Sequence, residues 1–151
     1  KEEVIREREE SLAKQLKEMR GRRRKLVDPL QFELSIAAED LMGYEPSFDW
    51  EMAPPTDKQL AALERAGIYP DEVGCAGKAS MLLDRLATRR AEGLATPKQI
   101  RCLERYGFQR VGTWPFEACK RLIDRIAANR WHVPHGVDPK TYEPAGKEAA
   151  A

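Results

Sequence analysis

The sequence predicts an all-helical protein built around two consecutive helix-loop-helix repeats, and three observations carry that prediction. Shifting the 151-residue chain by 40 positions superposes residues 56–90 on 96–130 without a gap and with twelve identities. Both copies open on Thr-x-x-Gln, at Thr56 to Gln59 and Thr96 to Gln99, the pattern of a reciprocal helix-capping box. Before Gly21 the chain has high helix propensity and no glycine or proline.

Residues 1–27 read as a charged helical arm. Ile5, Leu12, Met19 and Leu26 recur every seven residues and Leu16 joins them. Glu9 and Arg23 occupy other core-equivalent positions, so the stripe is expected to pack within a connecting helix ahead of forming a self-associating coiled coil. The arm ends in a basic cluster of Arg20, Arg22, Arg23, Arg24 and Lys25.

Residues 28–55 read as a helix plus a connector. Asp28 suits an N-cap and Pro29 a first helical position, where a missing N–H costs nothing. Leu30, Leu34, Ala37, Ala38 and Leu41 supply an apolar face and Gly43 a left-handed stop, which predicts one helix over 28–42. From Tyr44 to Pro55, three prolines predict an irregular connector, with Tyr44, Phe48 and Trp50 pinning it to a neighbouring surface.

Repeat one spans residues 56–95 and repeat two residues 96–131. In each, a short capped helix should bury Leu60 and Leu63, or Ile100 and Leu103. It should stop at Gly67 or Gly107, with Ile68 or Phe108 covering its end. A second helix is expected from near Cys75 and near Thr113, burying Ala79, Leu82, Leu83 and Leu86, or Cys119, Leu122, Ile123 and Ile126. Neither copy alone buries much, so the two should share a core across the junction at 91–95. The tail, residues 132–151, is rich in proline and small residues and is expected to wander over the surface or fray.

A net charge of +1 conceals strong segregation. Residues 28–57 hold eight acidic groups and no basic one, whereas 85–130 hold eleven Lys or Arg against four acids. The absence of long apolar runs argues against a membrane span or secretory leader, and three widely spaced cysteines fit a reducing, cytoplasmic compartment. The chain starts within a charged helical pattern and reads as part of something longer.

Catalytic signatures are missing from the sequence. Gly74, Gly77 and Lys78 lack the spacing of a nucleotide-binding loop, and no nucleophile elbow or paired-histidine metal motif occurs. Of Cys102, Cys119, His132 and His135 only the histidines form a close pair, whereas zinc sites usually have two, so neither metal nor cofactor is expected. The basic side chains point to phosphate instead. Candidate contacts are Lys58, Lys98, Arg101, Arg105 and Arg110 around the first helices, and Arg89, Arg90, Lys120, Arg121, Arg125 and Arg130 on or beyond the second. Arg22, Arg23, Arg24 and Lys25 add a separate cluster, and Trp114 beside a loop offers a surface for an unpaired base.

Several phrases also resemble the C-terminal accessory region of bacterial and phage DEAD/DEAH-box, superfamily II helicase-like proteins. They include Leu26-Val27-Asp28-Pro29-Leu30, Asp49-Trp50-Glu51-Met52-Ala53-Pro54-Pro55, Gly93-Leu94-Ala95-Thr96-Pro97-Lys98-Gln99-Ile100, Val111-Gly112-Thr113-Trp114 and Arg125-Ile126-Ala127-Ala128-Asn129. The resemblance implies an upstream ATP-driven motor outside this chain, whose functional residues have no counterpart here. The expected function is non-catalytic binding of nucleic acid, DNA first and RNA second, through its backbone. The rival expectation is a module docking on the motor or on a replication or repair protein.

Overall fold

The computed structural model describes residues 2–144, apart from the side chains at positions 22–24. Among these residues the regular structure is eight α-helices and two 3-10 turns, with isolated β-bridges and no strand. The all-helical prediction holds.

Helix α1 (Glu2–Lys25) carries the charged arm. Every residue from 2 to 20 is exposed, including Ile5, Leu12, Leu16 and Met19. The packing expected of that stripe is therefore not made within the described chain. Val27 then joins the body, donating its N–H to Gly67 O at 2.8 Å and accepting from Tyr69 N at 2.8 Å.

The single helix expected over 28–42 is two. Helix α2 (Pro29–Ser35) starts as predicted, with the Asp28 carboxylate accepting from Leu30 N at 2.9 Å. It ends because Ser35 is held by the second repeat: its hydroxyl donates to Glu104 at 2.6 Å and accepts from Gly112 N at 2.8 Å. Gly112 lies so close that a Cβ there would be 2.8 Å from the Ser35 backbone. The chain turns at Ala37, whose φ is +56°, into α3 (Glu39–Met42). Gly43, the expected left-handed stop, has φ −93°. The break also changes the buried face: Phe32, Ser35, Ala38 and Leu41 go in, whereas Leu30 and Leu34 remain exposed.

The connector contains a short helix, α4 (Asp49–Met52), packed on the later helix of repeat one. Tyr44 donates to Glu51, and Ala76 N donates to Ala53 O at 2.7 Å. These ties fix the connector from one side, so Phe48 and Trp50 are 66% and 60% exposed and do not pin it as expected.

Repeat one consists of α5 (Asp57–Ala66) and α6 (Ala76–Ala91), repeat two of α7 (Pro97–Arg105) and α8 (Phe116–Ala128). Both capping boxes form: Thr56 accepts from Gln59 N at 3.1 Å and Thr96 from Gln99 N at 3.2 Å, with the glutamines accepting in return. Gly67 and Gly107 take φ +101° and +99°, and Ile68 and Phe108 are buried over the helix ends. Helix α8 begins at Phe116, three residues later than the expected Thr113, because Val111–Thr113 forms a 3-10 turn. Phe116 therefore matches Ala76 in the 40-residue register.

One core joins the repeats and includes Leu63, Leu82, Ile100, Leu103, Leu122 and Ile126, together with Phe32 and Leu41. Burial of this apolar surface is the main source of stability. The two copies are closed alike. A Cβ at Gly67 would lie 3.3 Å from Pro97 Cβ, and one at Gly107 would lie 3.4 Å from Pro139 Cβ, so the tail stands beside repeat two where α7 stands beside repeat one. The described part of the tail is docked: Val133, Val137 and Tyr142 pack on the core.

Candidate nucleic-acid interface

The clearest cationic concavity lies on repeat one. Helices α5 and α6 diverge along a groove of about 390 Å³ lined by Ala62, Ala66, Leu83 and Leu86, with Arg65 and Arg90 on its walls. Position 66 in its lining is a small alanine. In repeat two the matching residue is Tyr106, which packs against the core and donates to Trp131 O at 3.0 Å. Lys98, at the start of α7, adjoins the same end, since a Cβ at Gly67 would lie 3.0 Å from its Cγ. Arg65, Arg90 and Lys98 are all exposed.

Of the residues expected to contact phosphate, Arg90 thus lines the groove and Lys98 stands beside its α5 end, and Arg65, the counterpart of the expected Arg105, lines the groove with Arg90. The 40-residue match of Arg65 to Arg105 was the available signal. Lys58 lies at the opposite end of α5, and Lys120, Arg121, Arg125 and Arg130 lie on or just beyond α8, all exposed. Lys25 is exposed at the end of α1, whereas the side chains of Arg22, Arg23 and Arg24 lie outside the described residues. Arg101 is half-buried, and burial together with neighbouring Arg105 holds its guanidinium below the usual range.

Two candidates are corrected. Trp114 is 1% exposed and cannot stack on a base: its ring meets Phe108 and Tyr142 edge-on, at centroid distances of 6.0 and 5.7 Å. Arg89 is 7% exposed and does not belong to the surface patch. Its Nη2 donates to Ala95 O at 2.9 Å and Gly112 O at 2.7 Å, and the guanidinium lies 5.7 Å from the centre of the Phe32 ring. Burial lowers its pKa.

Other cations are engaged within the body. Lys78 pairs with buried Glu33 at 2.8 Å and donates to Leu41 O, and Arg85 pairs with Asp40. A wider groove of about 660 Å³, between α2 and the end of α7, has a different character. Leu30, Leu34 and Phe108 line it with Asp28, Glu104 and Arg110, so its carboxylates oppose phosphate. Arg110 lines this groove and not the cationic one.

Among the described residues no three His, Cys, Asp or Glu side chains converge as a metal site, and no helix is long and apolar enough to cross a membrane. The arrangement defines an all-helical two-repeat protein with a cationic groove on one repeat. Compared with known proteins, the chain matches no family model, no curated protein and no solved structure.

Proposed function

We propose that this chain is a non-catalytic nucleic-acid-binding accessory module, holding the phosphate backbone of DNA, or of RNA, in support of a helicase-type motor. The observation that carries the reading is the placement of Arg65 and Arg90 on the walls of the open groove of repeat one, with Lys98 beside Gly67 at the end of α5. Arginine and lysine at the mouth of a helical groove position phosphates and carry no base readout, so weak sequence preference is expected. The long basic end of α1 supplies a further electrostatic contact at Lys25.

The exposed Leu30 and Leu34 beside the wider, partly acidic groove favour a second reading, docking on a protein. Fluorescence anisotropy with labelled single-stranded and duplex DNA at two salt concentrations separates the two. Saturable binding that weakens steeply with salt supports the first reading, and a folded sample that binds neither strand form at low salt rejects it.

A further inference from the structure

Where repeat one meets repeat two, the end of α6 and the start of α7 enclose a small pocket of about 70 Å³. Ala66, Leu86, Arg89, Arg90, Thr96 and Pro97 line it, and Ala66, Leu86 and Arg90 are shared with the cationic groove outside. The pocket is far below the several hundred cubic ångströms of a drug-sized ligand site, and its size suits a single oxyanion.

Arg89 makes the pocket unusual. Its side chain is nine-tenths buried, its Nε is sealed from solvent without a hydrogen-bond partner, and among the described residues no carboxylate forms an ion pair with it, Glu92 acting on it only through space. A buried cation without an anion in contact is costly, because neutral carbonyls replace only part of its hydration. Two neutral backbone carbonyls, of Ala95 and Gly112, are the hydrogen-bond partners of its Nη2. In repeat two the matching residue is Asn129, whose neutral Nδ2 donates to His132 O at 3.1 Å and Val133 O at 3.4 Å. Repeat one thus buries a positive charge where repeat two has an exposed neutral amide with local bonds only, and it does so beside the small pocket at the N-terminus of α7.

We propose that the pocket between α6 and α7 binds one phosphate group, with the buried Arg89 guanidinium as its inner ligand and Arg90 as its outer one. The helix contributes its dipole more than its amides, since Thr96 and Gln99 N–H groups serve the capping box and Pro97 has none. Ala66 keeps the entrance clear. The inference deepens the nucleic-acid reading, the phosphate being either an internal diester of a bound strand or its terminal monoester.

The test follows the Nε–Hε resonance of Arg89 in the intact protein by NMR. The probes are inorganic phosphate, an oligothymidine, and the same oligothymidine with a 5′-phosphate, and anisotropy of the two labelled oligonucleotides is read in parallel. The expected result is a saturable shift of the Arg89 resonance with inorganic phosphate and with at least one oligonucleotide. A larger affinity for the 5′-phosphorylated strand assigns the terminal group, and equal affinity assigns the diester. Because changing Arg89 itself threatens folding, the informative variant is Ala66→Tyr, which imports the residue that repeat two tolerates at Tyr106. It should weaken the phosphate response about tenfold, the equivalent of one lost charged hydrogen bond. An Arg89 resonance unmoved by all three probes, or Ala66→Tyr titrating like wild type, overturns the pocket. If the oligonucleotides still bind in that case, the wider nucleic-acid reading survives. If phosphate moves Arg89 but no oligonucleotide binds, the pocket stands and that reading falls.

Discussion

Gln99 donates its side-chain amide to the backbone carbonyl of Phe116 at 3.3 Å, and 40 residues earlier Gln59 does the same to Ala76 at 3.3 Å. Each glutamine therefore caps the first helix of its repeat and also fixes where the second begins. Thr96→Ala removes only the cap and is expected to cost about 1 kcal/mol. Gln99→Ala removes the cap and the crosslink and should cost about 2 kcal/mol. Urea unfolding of the two variants checks the order, and equal losses would show that the Phe116 tie contributes nothing.

Gly67 and Gly74 should respond differently to alanine. Gly67 has φ +101°, and a Cβ there would meet Lys98 Cγ at 3.0 Å and Pro97 Cβ at 3.3 Å, whereas nothing lies within 4 Å of a Cβ at Gly74. Gly67→Ala should cost about 2 kcal/mol, from left-handed strain and the crowded α7 contact. Gly74→Ala should stay within about 0.5 kcal/mol of wild type. Thermal melts of both variants give the comparison.

Burial pushes the Cys119 thiol from 9.0 up to about 12, against a smaller opposing pull from Arg89. In the unfolded chain this thiol ionises near its ordinary value, so the unfolded state loses the proton first as pH rises. The contribution is fully present below pH 9 and is lost as pH climbs from 9.0 towards about 12. Cys119→Ala, which installs the residue repeat one has at Ala79, should flatten the alkaline stability profile relative to wild type. Native protein at pH 8 should alkylate at half-buried Cys75 well before buried Cys119, read by mass spectrometry.

The tail closes the second repeat through Tyr142, whose ring meets Phe108 at 5.5 Å and Trp114 at 5.7 Å between centroids. Tyr142→Ala should cost about 2 kcal/mol and weaken the near-ultraviolet circular dichroism that packed aromatics produce. A variant with unchanged stability would mean that the tail does not close the repeat.

Features governed by neighbouring residues were legible in the sequence. The capping boxes, the left-handed glycines after α5 and α7 and most of the buried faces of α6 and α8 depend on side chains within one or two turns, although Leu60, Leu83 and Ile123, expected in the core, are only half-buried. Features set across the fold were not. The break after Ser35 comes from Gly112, 77 positions away, and the burial of Trp114 depends on Tyr142 in a tail with no helical pattern. Arg89 and Arg90 look alike as adjacent charges, and only the carbonyls of Ala95 and Gly112 separate the buried one from the exposed one. The largest difference between the copies along the groove lining, Ala66 against Tyr106, has no meaning until the fold sets α5 against α6.

The salt dependence of DNA affinity, measured for wild type and for Arg65→Gln/Arg90→Gln, tests the central claim most directly. Three phosphate contacts at Arg65, Arg90 and Lys98 give a slope of log K on log salt of about −2 to −3. The double variant should bind more weakly and lose about 2 from the magnitude of that slope, while Lys120→Gln/Arg121→Gln on α8 keeps the wild-type slope. An unchanged slope in the groove variant, with the loss appearing in the α8 variant or in neither, would contradict binding through repeat one.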